Sequence, residues 1–492
     1  MNASTAPPAA ISVAEVQMVD GYELVIGLEC HAELHTATKI FCGCPNNFGD
    51  EPNTNVCPVC LGLPGSLPVL NRNVVELAIR LGSALHCTVQ SSIFHRKNYF
   101  YPDMPKDYQV SQYDIPIDLG GYLDLPSGSR VGITRAHLEE DTGKSSHQGG
   151  DGRLHGSSGS LVDYNRAGVP LLEIVSEPDV RSADQAREYL TELRAILEAT
   201  GVSDAKMEEG SLRCDANVSV RKPGAPFGTR CEIKNLNSIR SLGRAIEAEA
   251  RRQVDVIESG GTIRQETRHF DERTGRTHTL RIKENSDDYR YFPEPDLVPV
   301  VPDEAWLARA RAALPMLPAE RRARLAGALG VPPSDEIVGV LVERGRDELF
   351  FAAVDAGGVA DRVAVHLQHN LPPDGPDPIR PGALAALTKM EAAGTLTATQ
   401  AKAVLVDLVA AGGDGDPAAI AAAKGFEAMS SGALDAFVDA AIAAQPEAWA
   451  KYLAGDPKVV GAFVGSVMKA TQGKADGKAV TALLEARRAA SA

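Results

Sequence analysis

From Leu24 to Leu34 the chain alternates without a break: Leu24, Ile26, Leu28, Cys30, Ala32 and Leu34 are apolar, and Glu29, His31 and Glu33 fall between them. Only an extended strand puts every second residue on one side. The stretch therefore predicts a strand with one face in a core and two carboxylates around an imidazole on the other. The pattern returns three times. Val131 to Asp141 would set Arg135, His137, Glu139 and Asp141 on one side, with Glu140 opposite unless a bulge turns it. Leu171 to Glu177 presents Glu173 and Glu177, and Ser211 to Arg221 sets Arg213, Asp215, Asn217 and Ser219 against Leu212, Cys214, Ala216 and Val218. A solvated polar face would account for any one of these strands. Several in one sheet would build an acidic concavity that must hold cations or lie open to water, and hard Mg²⁺ suits carboxylate oxygens.

Between these strands the period changes to that of a helix. Ser182 and Gln185 form a capping box ahead of the stripe Leu190, Leu193 and Leu197, and Gly201 ends the segment. A second helix begins near Asn237, runs through Leu242, Ile246, Val254 and Ile257, and stops at Gly260-Gly261. Residues 21–300 thus read as an α+β domain with a mixed sheet. After the prolines between Pro293 and Pro302 the composition shifts to Ala, Leu and Arg, and Glu304 to Leu314, Pro318 to Leu329 and Ala383 to Ala393 show helical spacing. Residues 301–410 are predicted to form an all-α domain. The Gly/Asp-rich stretch 411–417 reads as a linker into a small all-α tail, 411–492, and residues 1–20 as a disordered lead-in.

Cys42 and Cys44 are followed by Cys57 and Cys60, each pair set in Gly/Pro turns. Paired short spacings of this kind suit one structural Zn²⁺. The net charge of −15 argues against a chain that coats DNA or RNA without specificity, since phosphate neutralisation drives such binding. Local contacts remain open: Tyr99 and Tyr101, in Arg96-Lys97-Asn98-Tyr99-Phe100-Tyr101-Pro102, could stack a base or pack in a core. Lys469, Lys474, Lys478, Arg487 and Arg488 could meet an RNA backbone or form a solvated helix face. Gly156-Ser157-Ser158-Gly159-Ser160 lacks the longer signature and upstream lysine of an amidase nucleophile and reads as a hairpin tip. No phosphate-binding glycine loop of the Walker type occurs. No apolar run approaches a membrane span and no secretory leader is evident, so a cytoplasmic protein is expected.

The segments GLECHAEL, NYFYPDMPKDYQVSQYD, HLEEDTGK, DYNRAGVPLLEIVSEPD, KMEEGSLRCDANVSV, EIKNLNS and KENSDDYRYFPEPDL, spread over residues 21–300, resemble the motifs of the B subunits of tRNA-dependent aspartyl/glutamyl amidotransferases. Toward the C-terminus, Gly465 to Thr471 with Gly473-Lys474-Ala475 resembles that family's tail. The resemblance implies a cradle-shaped catalytic domain over 21–300 with a zinc loop at 42–60, a helical domain and a YqeY-like tail that recognises tRNA. It implies ATP-dependent phosphorylation of the side-chain carboxylate of Glu-tRNA(Gln) or Asp-tRNA(Asn), then amidation by ammonia from a glutaminase A subunit, with a small C subunit completing a heterotrimer. Carried over by motif, Glu29, His31, Glu139, Glu140 and Asp215 are the candidate Mg²⁺ ligands, and Lys144 and Lys234 the candidate phosphate contacts. Cys30 stands where the family usually has an aliphatic residue, and the four cysteines belong to a subgroup. A noncatalytic zinc scaffold that binds tRNA is the alternative. The archaeal relative with an inserted domain is disfavoured, because no such insertion is present.

Overall fold

The computed structural model describes residues 16–149, 157–282, 289–372, 378–426, 431–454, 456–471, 475 and 477–491. Two compact units divide the chain, residues 1–320 and 321–492.

The first unit is a mixed sheet with helices. Its principal strands are β1 (Tyr22–Glu33), β2 (His95–Asn98), β3 (Tyr108–Ser111), β4 (Arg130–Glu140), β5 (Pro170–Ser176), β6 (Leu212–Arg221), β7 (Cys231–Leu236), β8 (Glu266–Asp271), β9 (Arg276–Ile282) and β10 (Phe292–Pro293). They lie in the order β9-β8-β7-β6-β1-β5-β4-β3-β2-β10. All these neighbours are antiparallel except β7 and β8. The longest strand, β1, sits between β5 and β6, far from either in sequence. Its inward residues Leu24, Ile26, Leu28, Cys30 and Ala32 are all almost fully buried. Each large apolar side chain among them contributes about 1.5–3 kcal/mol when taken from water, which fixes the register: a slip by one residue would turn every one of them outward.

Helices α1 (Arg72–Ala84), α2 (Ala183–Ala199) and α3 (Ile239–Glu258) bury their apolar stripes on that face. The predicted cap of α2 is half reciprocal. Ser182 accepts from the Gln185 amide, and the Gln185 side chain accepts from the Arg181 amide, one residue before the cap. α3 is capped by Ser238 rather than Asn237. At its far end Gly260 takes φ +82°, which a side-chain-bearing residue rarely adopts.

Three boundaries differ from the sequence reading. Met18–Val19 pairs with the start of β1, so the lead-in is ordered there. Helix α4 (Glu304–Ala312) joins the first core rather than opening a helical domain: Leu307 and Ala310 are buried in it, and Trp306 donates to Glu76 of α1. In the second unit, which is all helix among the described residues, one apolar core spans Leu325 to Ala421 and another Leu434 to Leu484. Helix Pro417–Ala423 thus packs with the helices before it, because Ala421 and Ile420 complete their core and Gly413 closes the turn onto Leu408. Among the described residues no helix is long and apolar enough to cross a membrane.

Candidate active site

Register carries the polar residues of the central strands into rows. Opposite His31 stand Arg213 on β6 and Glu173 on β5, and Glu173 in turn faces His137 on β4. The next row runs from Asp215 through Glu29 to Val175 and Arg135, and the row on the other side from Glu33 through Leu171 to Glu139. Neighbours within a row lie about 5 Å apart, so side chains from four strands converge. Nε2 of His31 lies 3.3 Å from Glu173 and 3.9 Å from both Glu29 and Glu139. Nε2 of His137 lies 3.7 Å from Glu173 and 3.9 Å from Glu139.

Two triads with metal-ligand spacing share His31. In each of Glu29-His31-Asp215 and His31-Glu139-Glu173, the ligand atoms lie within 4.8 Å of one another. The strip is bounded by lysines. Nζ of Lys234, on β7, is 2.5 Å from Asp215 and 3.3 Å from Glu232. At the other side Lys97 on β2 sits 4.9 Å from the Tyr289 ring and feels the charges of Glu139 and Glu173.

The electrostatics of the strip favour positive charge beside its carboxylates. Burial alone would push the His31 imidazolium down, but its hydrogen bond to Glu173 and the charges of Glu173, Glu139 and Glu29 carry it up to about 9. Burial and the nearby Glu173 raise Glu29 to about 7. Burial opposes the charge on Glu173 too, yet His137 and His31 hold it below the usual carboxylate range. Three carboxylates crowded on a half-buried face thus keep cations beside them. A hard divalent ion, bound by neutral imidazole and ionised carboxylates, would displace those protons, so the donor set fits.

Not every predicted residue joins this cluster. Glu140 faces the opposite side of β4, because no bulge turns it. Its carboxylate takes hydrogen bonds from Lys106 and the Val110 amide, and it lines a small pocket with Phe41 and Cys60. It therefore stands outside the His31 triads. Lys144 begins a separate hairpin, Lys144–Gln148 with Gly159–Asp163, and lines a cleft of about 810 Å³ bordered by Glu33 and Arg166. Glu177, expected on the face with Glu173, follows a register shift after Val175 and accepts from Thr134. Tyr99 and Tyr101 stack on each other at 4.5 Å, with the Tyr101 side chain exposed. Lys469 is exposed on helix Val460–Ala470, and Lys474 lies outside the described residues.

Glu173 and His137 were legible as polar-face residues, but nothing in sequence says that β5 lies beside β1. Lys97 was hidden in an aromatic run whose role only the sheet order reveals.

The four predicted zinc cysteines do converge, with sulfur atoms within 4.8 Å. Contact with the Cys42 thiol, helped by the Cys57 amide and the Lys39 ammonium, lowers Cys60 to about 5. A thiolate beside further sulfurs can hold a metal ion, and Zn²⁺ is compatible with that donor set.

The chain thus carries a mixed sheet with a carboxylate, imidazole and lysine strip, followed by an all-α unit. Residues 24–308 match the family described as the GatB/GatE catalytic domain, and residues 365–487 match the GatB domain. The chain belongs to the family of amidotransferase B subunits. It is 51% identical over 489 residues to the B subunit of the aspartyl/glutamyl-tRNA(Asn/Gln) amidotransferase of Salinispora arenicola, covering 95% of this chain and 97% of that one. Proteins of the same description from Nocardia farcinica and Carboxydothermus hydrogenoformans are 50% and 48% identical, covering 96% and 94% of this chain and 99% and 98% of theirs.

Proposed function

We propose that this chain carries out the synthetase half of a tRNA-dependent amidotransferase. In that reaction the side-chain carboxylate of Glu-tRNA(Gln), Asp-tRNA(Asn) or both takes the γ-phosphoryl group of ATP, releasing ADP. Ammonia then attacks the acyl carbon, and phosphate leaves as the amide forms. The observation that carries the reading is the pair of triads sharing His31 between Lys234 and Lys97. Phosphorylating a carboxylate brings several negative charges together, and this strip is built to neutralise them.

Glu29, His31 and Asp215, or His31, Glu139 and Glu173, would hold Mg²⁺, which when bound shields the phosphates and polarises the transferred group. Lys234 and Lys97 orient phosphoryl oxygens from either side. Asp215 and Glu232 hold the Lys234 ammonium at the edge of the strip. Glu140, paired with Lys106, belongs to the opposite face and takes no part as a ligand of that ion.

Ammonia would come from a glutaminase A subunit, with a small C subunit completing the heterotrimer in the cytoplasm. The cysteine cluster would bind one structural Zn²⁺. Tyr99 and Tyr101 offer a stacked surface for a nucleobase of the tRNA, and the last helical core, with Lys469, would contact the tRNA body.

The test is amidation of misacylated tRNA by the reconstituted complex, with ammonium as donor and the glutaminase blocked. His31→Ala removes the ligand common to both triads, so activity should require ATP and Mg²⁺ and fall at least about a hundredfold in the variant. Equal activity in both proteins would move the cation elsewhere, and none in the unaltered complex would overturn the reading.

A further inference from the structure

We propose that Glu33 receives the α-ammonium group of the aminoacyl ester, making the cleft beside it the seat of the substrate's 3′ end. This rests on the reading above and adds to it the orientation of the amino acid.

Glu33 is the last residue of β1 and shares its polar face with Glu29 and His31. It lies two residues, or about 7 Å, beyond His31 along the strand. A glutamyl group spans about 5 Å from its side-chain carboxyl carbon to its α-nitrogen, and a contact of about 3 Å to Glu33 covers the rest of the step. At Glu33 the strip opens into the cleft of about 810 Å³, whose walls include His35, Lys144, Asn165, Arg166 and Ser211.

Glu33 is the acid left over. Arg213 donates to Asp141 at 2.8 Å, and Arg166 lies 3.5 Å from Asp141 while donating to the carbonyls of Thr142 and Gly143. Among the described residues the Glu33 carboxylate makes no hydrogen bond or ion pair, although it is more than half buried. Arg213 and Arg166 act on it only at longer range, so a cation arriving through the cleft would give this partly buried carboxylate its one close counter-ion. The α-ammonium is the one cationic group at the reacting end of an aminoacyl-tRNA. With the side-chain carboxylate at the His31 triads, its ammonium at Glu33 sends the ester toward the cleft, where Lys144 and Arg166 can meet phosphates.

The experiment compares Glu-tRNA with N-acetyl-Glu-tRNA, in which acetylation removes the ammonium charge, using the reconstituted complex, ATP and ammonium. Acetylation should raise KM about tenfold or more, the usual worth of a charge-assisted hydrogen bond. Glu33→Gln should raise KM for Glu-tRNA by a similar factor, leave kcat and the KM for ATP unchanged, and erase the discrimination between the two substrates. Glu33→Asp, which keeps the charge on a shorter arm, should retain part of it. Discrimination that survives in Glu33→Gln, or a loss of kcat on both substrates alike, would overturn the assignment. Failure of the unaltered complex to amidate both Glu-tRNA and Asp-tRNA would instead remove the catalytic reading itself.

Discussion

Glu249 on α3 is fully buried and gathers the far side of the sheet around one carboxylate. It accepts from Arg252 at 2.6 and 2.9 Å, from Gln253 at 2.9 Å and from the Thr277 hydroxyl at 2.7 Å, and Arg268 lies 3.2 Å away. The next residue along the strand from Arg268, Thr267, donates to Glu232, which lies 3.3 Å from Lys234. In Glu249→Gln the amide keeps the shape and loses the charge, leaving Arg252 without its bidentate carboxylate and the buried Arg268 with Glu266 alone. Breaking a buried pair in this way costs about 3–5 kcal/mol. The unit runs from Met1 to Glu320. For about 300 residues the unfolding entropy is about 0.6 kcal/mol per degree, so Tm should fall by about 5–8 °C.

The pH dependence follows from sign. Burial disfavours the Glu249 charge, but Arg252, Gln253 and Thr277 outweigh it and hold its carboxyl below the ordinary range. A depressed acid stabilises the fold above its unfolded value, and that stability is lost as pH falls through the folded value. The difference between parent and variant should therefore be full at about pH 7 and shrink toward about pH 3. Thermal unfolding of the full chain, followed by circular dichroism at both pH values, measures it. A shift below about 2 °C at neutral pH, or one equally large in acid, would refute the reasoning.

Asp118 offers the opposite sign. It is fully buried against Gly82 of α1, neither carboxylate oxygen has a hydrogen-bond partner among the described residues, and burial raises it well above the ordinary range. Such an acid costs stability once pH rises above its unfolded value, so Asp118→Asn should gain about 1–3 kcal/mol near neutrality and nothing near about pH 4, read by urea unfolding. For the cysteine cluster, protein purified without chelator should contain about one zinc per chain by elemental analysis, and Cys57→Ser with Cys60→Ser should lose it. Metal-free protein of unchanged Tm would end the zinc assignment. Removing residues from 431 onward spares the second core and should weaken tRNA affinity about tenfold, while ammonium-dependent turnover at saturating tRNA persists. Unchanged affinity in a filter-binding assay would place recognition elsewhere.

The sequence by itself settled which side chains share a face. The unbroken alternation from Leu24 to Leu34 left one extended conformation able to bury its apolar half, and it put Glu29, His31 and Glu33 together before any partner strand was known. Short spacing likewise marked the cysteines, and local hydrogen bonding marked Ser182 as a cap. These are local matters, decided by a period of two or by atoms a few residues apart.

What the sequence left open was lateral order. A strand's alternation says nothing of its neighbour, and β1 meets β5 only across intervening segments that must first fold, which is how Glu173 reaches His31. Tertiary packing likewise supplied Lys106 as the partner of Glu140, brought Lys97 to the strip's edge and drew α4 into the first core. Each outcome was set by contacts between residues distant in sequence, where burial and charge pairing can be satisfied only once the whole sheet has assembled.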